Sequence, residues 1–154
     1  MKKINVGIIG LGYVGLKMLH TMSLQKNFLC FGFEKDKNKI DLLKKNKSYI
    51  EDISNQDIKK INKKNIFINT DYDQISNLDY IMICLPTPLK NKSYTRDNSY
   101  IYTPDNSYIL SVFNNIFKYL KKNQTIILES TVYPGATRDI FFKRLNKKFD
   151  VGRN

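Results

Sequence analysis

Apolar and polar residues fall along this chain in blocks whose period switches repeatedly between strand and helix. Ile4 to Ile9 is apolar apart from Asn5 and Gly7, which predicts a strand. Tyr13 to Lys26 carries Val14, Leu16, Met18, Leu19 and Met22 at helical spacing, the pattern of a helix packed on a sheet. Phe28 to Glu34 predicts a second strand. Lys37 to Lys45 predicts a helix with Ile40, Leu42 and Leu43 inward, and Asp57 to Lys64 a lysine-rich helical turn or two with Ile58 and Ile61 inward. Ile66 to Asn69 reads as a short third strand and Asp79 to Leu85 as a fourth. The run YIMICL in the fourth is apolar throughout, so it needs cover on both faces. Asp105 to Lys121 predicts a helix, Thr125 to Glu129 a fifth strand, and Ala136 to Leu145 the opening of another helix.

Strand and helix alternating in this order imply a parallel sheet with right-handed crossovers. The expected fold class is α/β, a doubly wound parallel sheet. Leu89 to Thr103 interrupts the series: it is polar, rich in tyrosine and without helical or strand period, the mark of a surface loop. Its Asp97-Asn98-Ser99-Tyr100-Ile101 recurs as Asp105-Asn106-Ser107-Tyr108-Ile109, 8 residues on. A small tandem duplication within a loop explains the echo more simply than a repeat architecture, which needs several stacked copies.

The first strand runs into Gly10-x-Gly12-x-x-Gly15 and then a helix, a context that turns a common spacing into a dinucleotide site. Gly10 permits the tight turn, Gly12 lets the backbone approach a pyrophosphate, and Gly15 lets the helix pack against the strand. The phosphates then sit on free N–H groups at the helix start. Glu34 ends the second strand, two dozen residues past Gly10. A carboxylate there accepts from both ribose hydroxyls of the adenosine half and repels a 2'-phosphate, which favours NAD over NADP. Asp36, the competing carboxylate, reads as the cap of the next helix.

Length and charge bound the rest. A chain of 154 residues suits one domain, 1–154, with a real core. The formal net charge of +12 raises nucleic acid or an anionic membrane as partners, but the 26 basic residues are scattered and only Arg96, Arg138, Arg144 and Arg153 are arginine. That distribution reads as coding bias toward Lys, Asn and Ile and argues against a polyanion groove. Cys30 and Cys84 lie in apolar runs and suit buried free thiols in a reducing compartment. No apolar stretch approaches the roughly 18 to 20 residues of a membrane span, and the N-terminus lacks a cleavage site, so a cytoplasmic protein is expected. His20 is the only histidine, and no cluster has ligand spacing, so no metal is assigned.

Two further stretches narrow the glycine motif. Cys84-Leu85-Pro86-Thr87-Pro88-Leu89 leaves the fourth strand through two prolines and places Thr87 at the carboxyl edge of the sheet, where ligands bind in open α/β folds. Leu128-Glu129-Ser130-Thr131-Val132-Tyr133-Pro134-Gly135 leaves the fifth strand at the same edge. Judged singly, Ser130 and Thr131 are turn formers.

Together these stretches resemble the UDP-glucose/GDP-mannose dehydrogenase family in its N-terminal, Rossmann-like NAD-binding domain. The resemblance runs through GLGYVGL at Gly10 to Leu16, the acidic strand end at Glu34, LPTPL at Leu85 to Leu89, PDNSYI at Pro104 to Ile109 and ESTVYPGAT at Glu129 to Thr137. The tyrosine of Tyr133-Pro134-Gly135 looks more like the UDP-N-acetylhexosamine 6-dehydrogenases than the UDP-glucose enzymes. The resemblance implies oxidation of a sugar C6 alcohol to a carboxylate in two NAD-dependent steps, through an aldehyde and a thioester, and a place in polysaccharide biosynthesis. It implies that the backbone of Tyr13 and Val14 faces the pyrophosphate, Glu34 the adenosine ribose, Lys39 the adenosine end, and Thr87 and Thr131 the cofactor. Thr131 also matches a threonine that helps organise the family's reacting centre. A homo-oligomer is implied for the full-length form.

The family's nucleophilic cysteine lies in a glycine-rich stretch far downstream, and its assisting lysine, asparagine and glutamate also come after position 154. Neither Cys30 nor Cys84 suits that role, because an apolar strand desolvates a thiolate and raises its pKa. The expectation is therefore a sheet truncated after its fifth strand, marginally stable, lacking the family's central helix and sugar-nucleotide domain. It binds NAD, meets a UDP-sugar only if the missing half is supplied, and turns nothing over alone. Two alternatives remain open here. The 3-hydroxyacid and 6-phosphogluconate dehydrogenases share the glycine motif and sheet without PTPL or STVYPG. A non-catalytic nucleotide- or nucleic-acid-binding module would instead exploit the positive charge.

Overall fold

The computed structural model describes residues 3–61, 66–94 and 100–149. The expected helical stretch 62–64, the arginines Arg96 and Arg153, the first three residues of the earlier pentapeptide, and Val151 lie outside the described residues. Chain order runs β1 (Ile4–Ile9), α1 (Tyr13–Ser23), β2 (Phe28–Phe33), α2 (Lys37–Lys44), α3 (Asn55–Lys60), β3 (Ile66–Asn69), β4 (Tyr80–Ile83), β5 (Leu89–Tyr94), β6 (Tyr100–Pro104), α4 (Ser107–Ile116), β7 (Thr125–Leu128) and α5 (Lys143–Lys148). Five strands form one sheet in the order β3-β2-β1-β4-β7, every neighbouring pair parallel. The order reverses beside β1: the chain first adds strands on one side and then on the other, leaving a crevice at the carboxyl ends of β1 and β4.

Parallel strands are buried on both faces, which is why their sequences are continuous apolar runs. On one face Val6, Ile8 and Cys30 pack against Leu16 and Leu19 of α1, Leu43 of α2 and Ile58 of α3. On the other, Ile9, Phe31, Phe33, Ile81 and Ile83 meet Ile109, Phe113 and Ile116 of α4, with Ile140 and Phe141 beyond. The return from β3 to β4 has only a 3-10 turn, Asp73–Asn77, whose Ile75 is fully buried. The Gln124 side-chain amide donates to Ile75 O at 2.7 Å and Leu78 O at 2.8 Å, tying this turn to the base of β7.

The expected strands β1 and β3 keep their bounds, while several other ends move. The helix expected through Lys26 stops at Ser23, and the one expected over Asp105 to Lys121 starts at Ser107, because the Asp105 carboxylate accepts from Ser107 N at 2.9 Å and holds the turn before it. Its last residues tighten into a 3-10 turn, Phe117–Tyr119. Asp36 caps α2 by accepting from Asn38 N at 2.9 Å. The helix expected from Ala136 starts there, widens into a π turn over Arg138–Phe142 and runs on to Lys148; the wide turn puts the adjacent Ile140 and Phe141 both in the core.

Leu89 to Thr103 corrects the sequence reading. It is not an aperiodic loop but an antiparallel hairpin, β5 on β6, pairing Leu89 with Pro104 and Tyr94 with Tyr100 across a register shift between Lys90 and Lys92. A hairpin standing off the main sheet needs no alternating apolar face, and Tyr, Ile and Thr favour the extended chain. Asp105 N donates to Pro88 O at 2.7 Å and closes its base.

Candidate functional site at the carboxyl edge of the sheet

The three glycines hold three different positions. Gly10 has φ +88°, and a Cβ there would lie 2.6 Å from Cys84 O, so both the turn and the approach of β4 demand glycine. A Cβ on Gly15 would sit 1.9 Å from Gly10 O, which makes it the contact that lets α1 lie on the turn. A Cβ on Gly12 would meet nothing within 4 Å, leaving open space in front of the turn. Gly12 also N-caps α1 without any side-chain bond, no acidic residue occupies the first turn, and Tyr13 and Val14 are exposed there. The positive end of the helix dipole thus opens onto that space.

Glu34 follows β2 and is 8% exposed. Its Oε2 accepts from Leu11 N at 3.1 Å, and its Oε1 from Lys35 N at 2.9 Å and Asp36 N at 3.1 Å. The carboxylate therefore braces the glycine turn from β2 instead of standing free in solvent. Lys39 Nζ lies 3.7 Å from Oε2 and 5.5 Å from the centroid of the Tyr49 ring. The Tyr49 hydroxyl donates to Leu11 O at 2.7 Å. Tyr49 had no signal in the sequence, since its partner is 38 residues away.

Across the crevice, the Thr87 hydroxyl donates to Thr131 O at 2.6 Å and joins the loops after β4 and β7. Leu85 N donates to Ser130 Oγ at 2.9 Å, and Ser130 Oγ reaches Ile83 O at 3.4 Å. Ser130 is thus a staple between loops, as its turn-forming reading implies, whereas the Thr131 side chain is exposed. The Tyr133 hydroxyl donates to Asp139 Oδ2 at 3.1 Å, and this bond raises the phenol's pKa. Glu34 with Lys39 forms one group beside the glycine turn, and Thr87 with Thr131 forms a second at the ends of β4 and β7.

Both cysteines are buried. Burial pushes the Cys30 thiol up to about 11 and, with the Glu129 charge second, the Cys84 thiol up to about 12. Neither is a thiolate near neutral pH, so neither is a nucleophile. His20 is half-buried on α1, its Nε2 without a hydrogen-bond partner among the described residues. No helix among the described residues is long and apolar enough to cross a membrane.

Comparison with known proteins bears on this arrangement. A UDP-N-acetyl-D-mannosamine dehydrogenase of Methanococcus maripaludis is 32% identical over 149 residues, 94% of this chain and 32% of that protein. The UDP-N-acetyl-D-glucosamine 6-dehydrogenase of Pseudomonas aeruginosa is 28% identical over 139 residues, 90% of this chain and 30% of that protein. Among solved structures, the UDP-N-acetyl-mannosamine dehydrogenase Cap5O from Staphylococcus aureus superposes with a TM-score of 0.78 at 24% identity, covering 97% of this chain and 34% of that one. A GDP-mannose dehydrogenase from Pseudomonas aeruginosa, in a ternary complex, gives 0.75 at 24% identity, covering 92% and 32%. The chain therefore spans about a third of the length of these relatives. Residues 4–154 match the UDP-glucose/GDP-mannose dehydrogenase family, NAD binding domain. The parallel sheet, the open glycine turn and this match across the described sheet agree: the chain belongs to the UDP-glucose/GDP-mannose dehydrogenase family and is its NAD-binding domain.

Proposed function

We propose that residues 1–154 act as one NAD-binding domain of a nucleotide-sugar 6-dehydrogenase that takes a UDP-N-acetylhexosamine, or UDP-glucose, to the uronate for polysaccharide biosynthesis in the cytoplasm. The observation that carries this reading is the open space before Gly12, bounded by the uncapped start of α1 and braced from behind by Glu34. That space is open to a pyrophosphate, to which the uncapped helix start offers the backbone N–H groups of Tyr13 and Val14.

Glu34 takes the adenosine ribose. A carboxylate has about four acceptor positions, so Oε2 keeps room for a ribose hydroxyl beside Leu11 N. Its buried charge disfavours a 2'-phosphate, and Lys39 steadies it at the adenosine end. Thr87 and Thr131 face the cofactor, with Thr131 helping to organise the reacting centre. NAD, once bound, supplies the oxidising nicotinamide that accepts hydride from the sugar carbon. This chain's residues bind and orient it, and the thiol chemistry and the sugar pocket come from residues outside these 154, in a homo-oligomeric full-length form. The names of the relatives, which act on UDP-N-acetylated hexosamines, and the Tyr133-Pro134-Gly135 turn support that substrate class.

Calorimetric titration of the purified chain tests the reading. Saturable NAD binding, stronger than NADP binding, is expected, with no NADH absorbance when a UDP-N-acetylhexosamine is added. Absence of NAD binding, or a preference for NADP, refutes the cofactor assignment. NADH formation by this chain alone refutes the assignment of the thiol chemistry elsewhere.

A further inference from the structure

The peptide units on either side of Leu11 are pinned from two directions. Leu11 N donates to Glu34 Oε2 at 3.1 Å, and Leu11 O accepts from the Tyr49 hydroxyl at 2.7 Å. Leu11 stands between Gly10 and Gly12, the residue type that loses most conformational freedom on ordering, so these two bonds select one arrangement among many. The second bond also sets a direction. Leu11 O and Gly12 N–H share one planar trans peptide and point opposite ways, so drawing the carbonyl inward to Tyr49 turns the Gly12 N–H away from it.

We propose that Tyr49 is a positioning residue of the cofactor cradle, whose hydroxyl holds the Leu11 carbonyl and thereby aims the Gly12 N–H at the pyrophosphate. This rests on the reading of the glycine turn given above. Tyr49 is itself held in place. Ser48 N donates to Asn55 Oδ1 at 2.7 Å, the Ser48 hydroxyl to Ile50 O at 2.9 Å, and Ile50 is buried in the core. Lys39 sits over the Tyr49 ring and beside Glu34, so one cation links both clamping side chains. Burial, with the Glu34 charge second, raises the phenol's pKa above its usual value, so Tyr49 stays a donor throughout the neutral range.

The test uses Tyr49→Phe, which keeps the ring and its volume and deletes only the donor. Calorimetry on the whole chain compares NAD, ADP and adenosine. Tyr49→Phe is expected to weaken NAD and ADP alike by about five- to tenfold, the size of one hydrogen bond, and to leave adenosine within about twofold. In hydrogen exchange the Leu11 amide, still bonded to Glu34, and the Gly10 amide, bonded to Phe33 O at 2.9 Å, should both keep their protection, which separates a re-aimed turn from an unfolded one. Equal losses for all three ligands, or unchanged NAD and ADP affinity, overturn the proposal. A wild-type chain that binds ADP no better than adenosine refutes the pyrophosphate reading of the turn and the proposal with it. A wild-type preference for ADP that survives Tyr49→Phe refutes the clamp alone.

Discussion

Gly15→Ala and Gly12→Ala separate packing from binding at two glycines of one motif. A methyl on Gly15 would arrive 1.9 Å from Gly10 O, against an ordinary contact of about 3.5 Å, so α1 or the turn must move by about 1.5 Å. Both atoms belong to backbone and neither can rotate aside. Lifting α1 would draw the fully buried Leu16 and Leu19 from the core. Overpacking of this kind costs about 1–3 kcal/mol and here lies at the upper end or above it, while the better helix propensity of Ala returns about 1 kcal/mol. A net loss of about 2 kcal/mol lowers the Tm by about 4–8 °C in a domain of this size. A methyl on Gly12 meets nothing, so Gly12→Ala should stay within about 1 kcal/mol of wild type, the difference between these residues at an N-cap. It projects instead into the space proposed for the pyrophosphate and should weaken NAD by about tenfold or more. Thermal melts by circular dichroism and NAD titrations of both variants give the answer. A Gly15→Ala chain that melts like wild type, or a Gly12→Ala chain with unchanged NAD affinity, would refute the assignment of packing to one glycine and ligand approach to the other.

Ser130→Ala leaves Leu85 N without its partner at 2.9 Å and should cost about 1–2 kcal/mol, read as a lower denaturation midpoint with an unchanged slope. Cys30 and Cys84 should resist iodoacetamide at pH 8 in the native chain and react only on unfolding, because burial holds both thiols protonated; fast native labelling of either would contradict the packing. Asp57 completes a capping box with Ser54, and that side-chain bond first, then the one to Lys60, holds its carboxyl at about 2, below the ordinary 3.8. A depressed carboxylate stabilises the fold above its unfolded pKa, so its contribution should be whole above about pH 4 and fade as pH falls toward 2. Ser54→Ala should move the Asp57 NMR titration back toward the ordinary value.

Much of the site could be read from local sequence because glycine constraints are local. Gly10 takes positive φ without the steric cost other residues meet there, and a strand, a glycine turn and a helix follow one another within a single stretch. Glu34 could be placed by its position after β2, and Thr87 and Thr131 by the strands they follow. What those side chains hold could not be read. Glu34 reaches Leu11 across 23 residues, Tyr49 reaches Leu11 across 38, and Ser130 reaches Leu85 across 45. Hydrogen bonds at such separations exist only once the sheet has brought the strand ends to one edge.

The repeated pentapeptide divides local from tertiary control most plainly. In one copy Tyr100 and Ile101 lie in β6; in the other Tyr108 and Ile109 lie in α4. Identical residues share identical intrinsic propensities, so nothing in the five letters separates the two outcomes. The sheet does, because Ile109 is fully buried beside Phe113 and Ile116 on an amphipathic face, while Tyr100 and Ile101 pair with Tyr94 and Ser93 in a hairpin. Apolar blocks and glycine spacing, acting through nearest neighbours, determined the parallel sheet and the turn by sequence alone, and the LPTPL and ESTVYPGAT stretches carried the resemblance to the family. Which Tyr-Ile pair becomes strand, which carboxylate braces the turn and which hydroxyl aims it were decided by burial and long-range hydrogen bonds that only the assembled fold supplies.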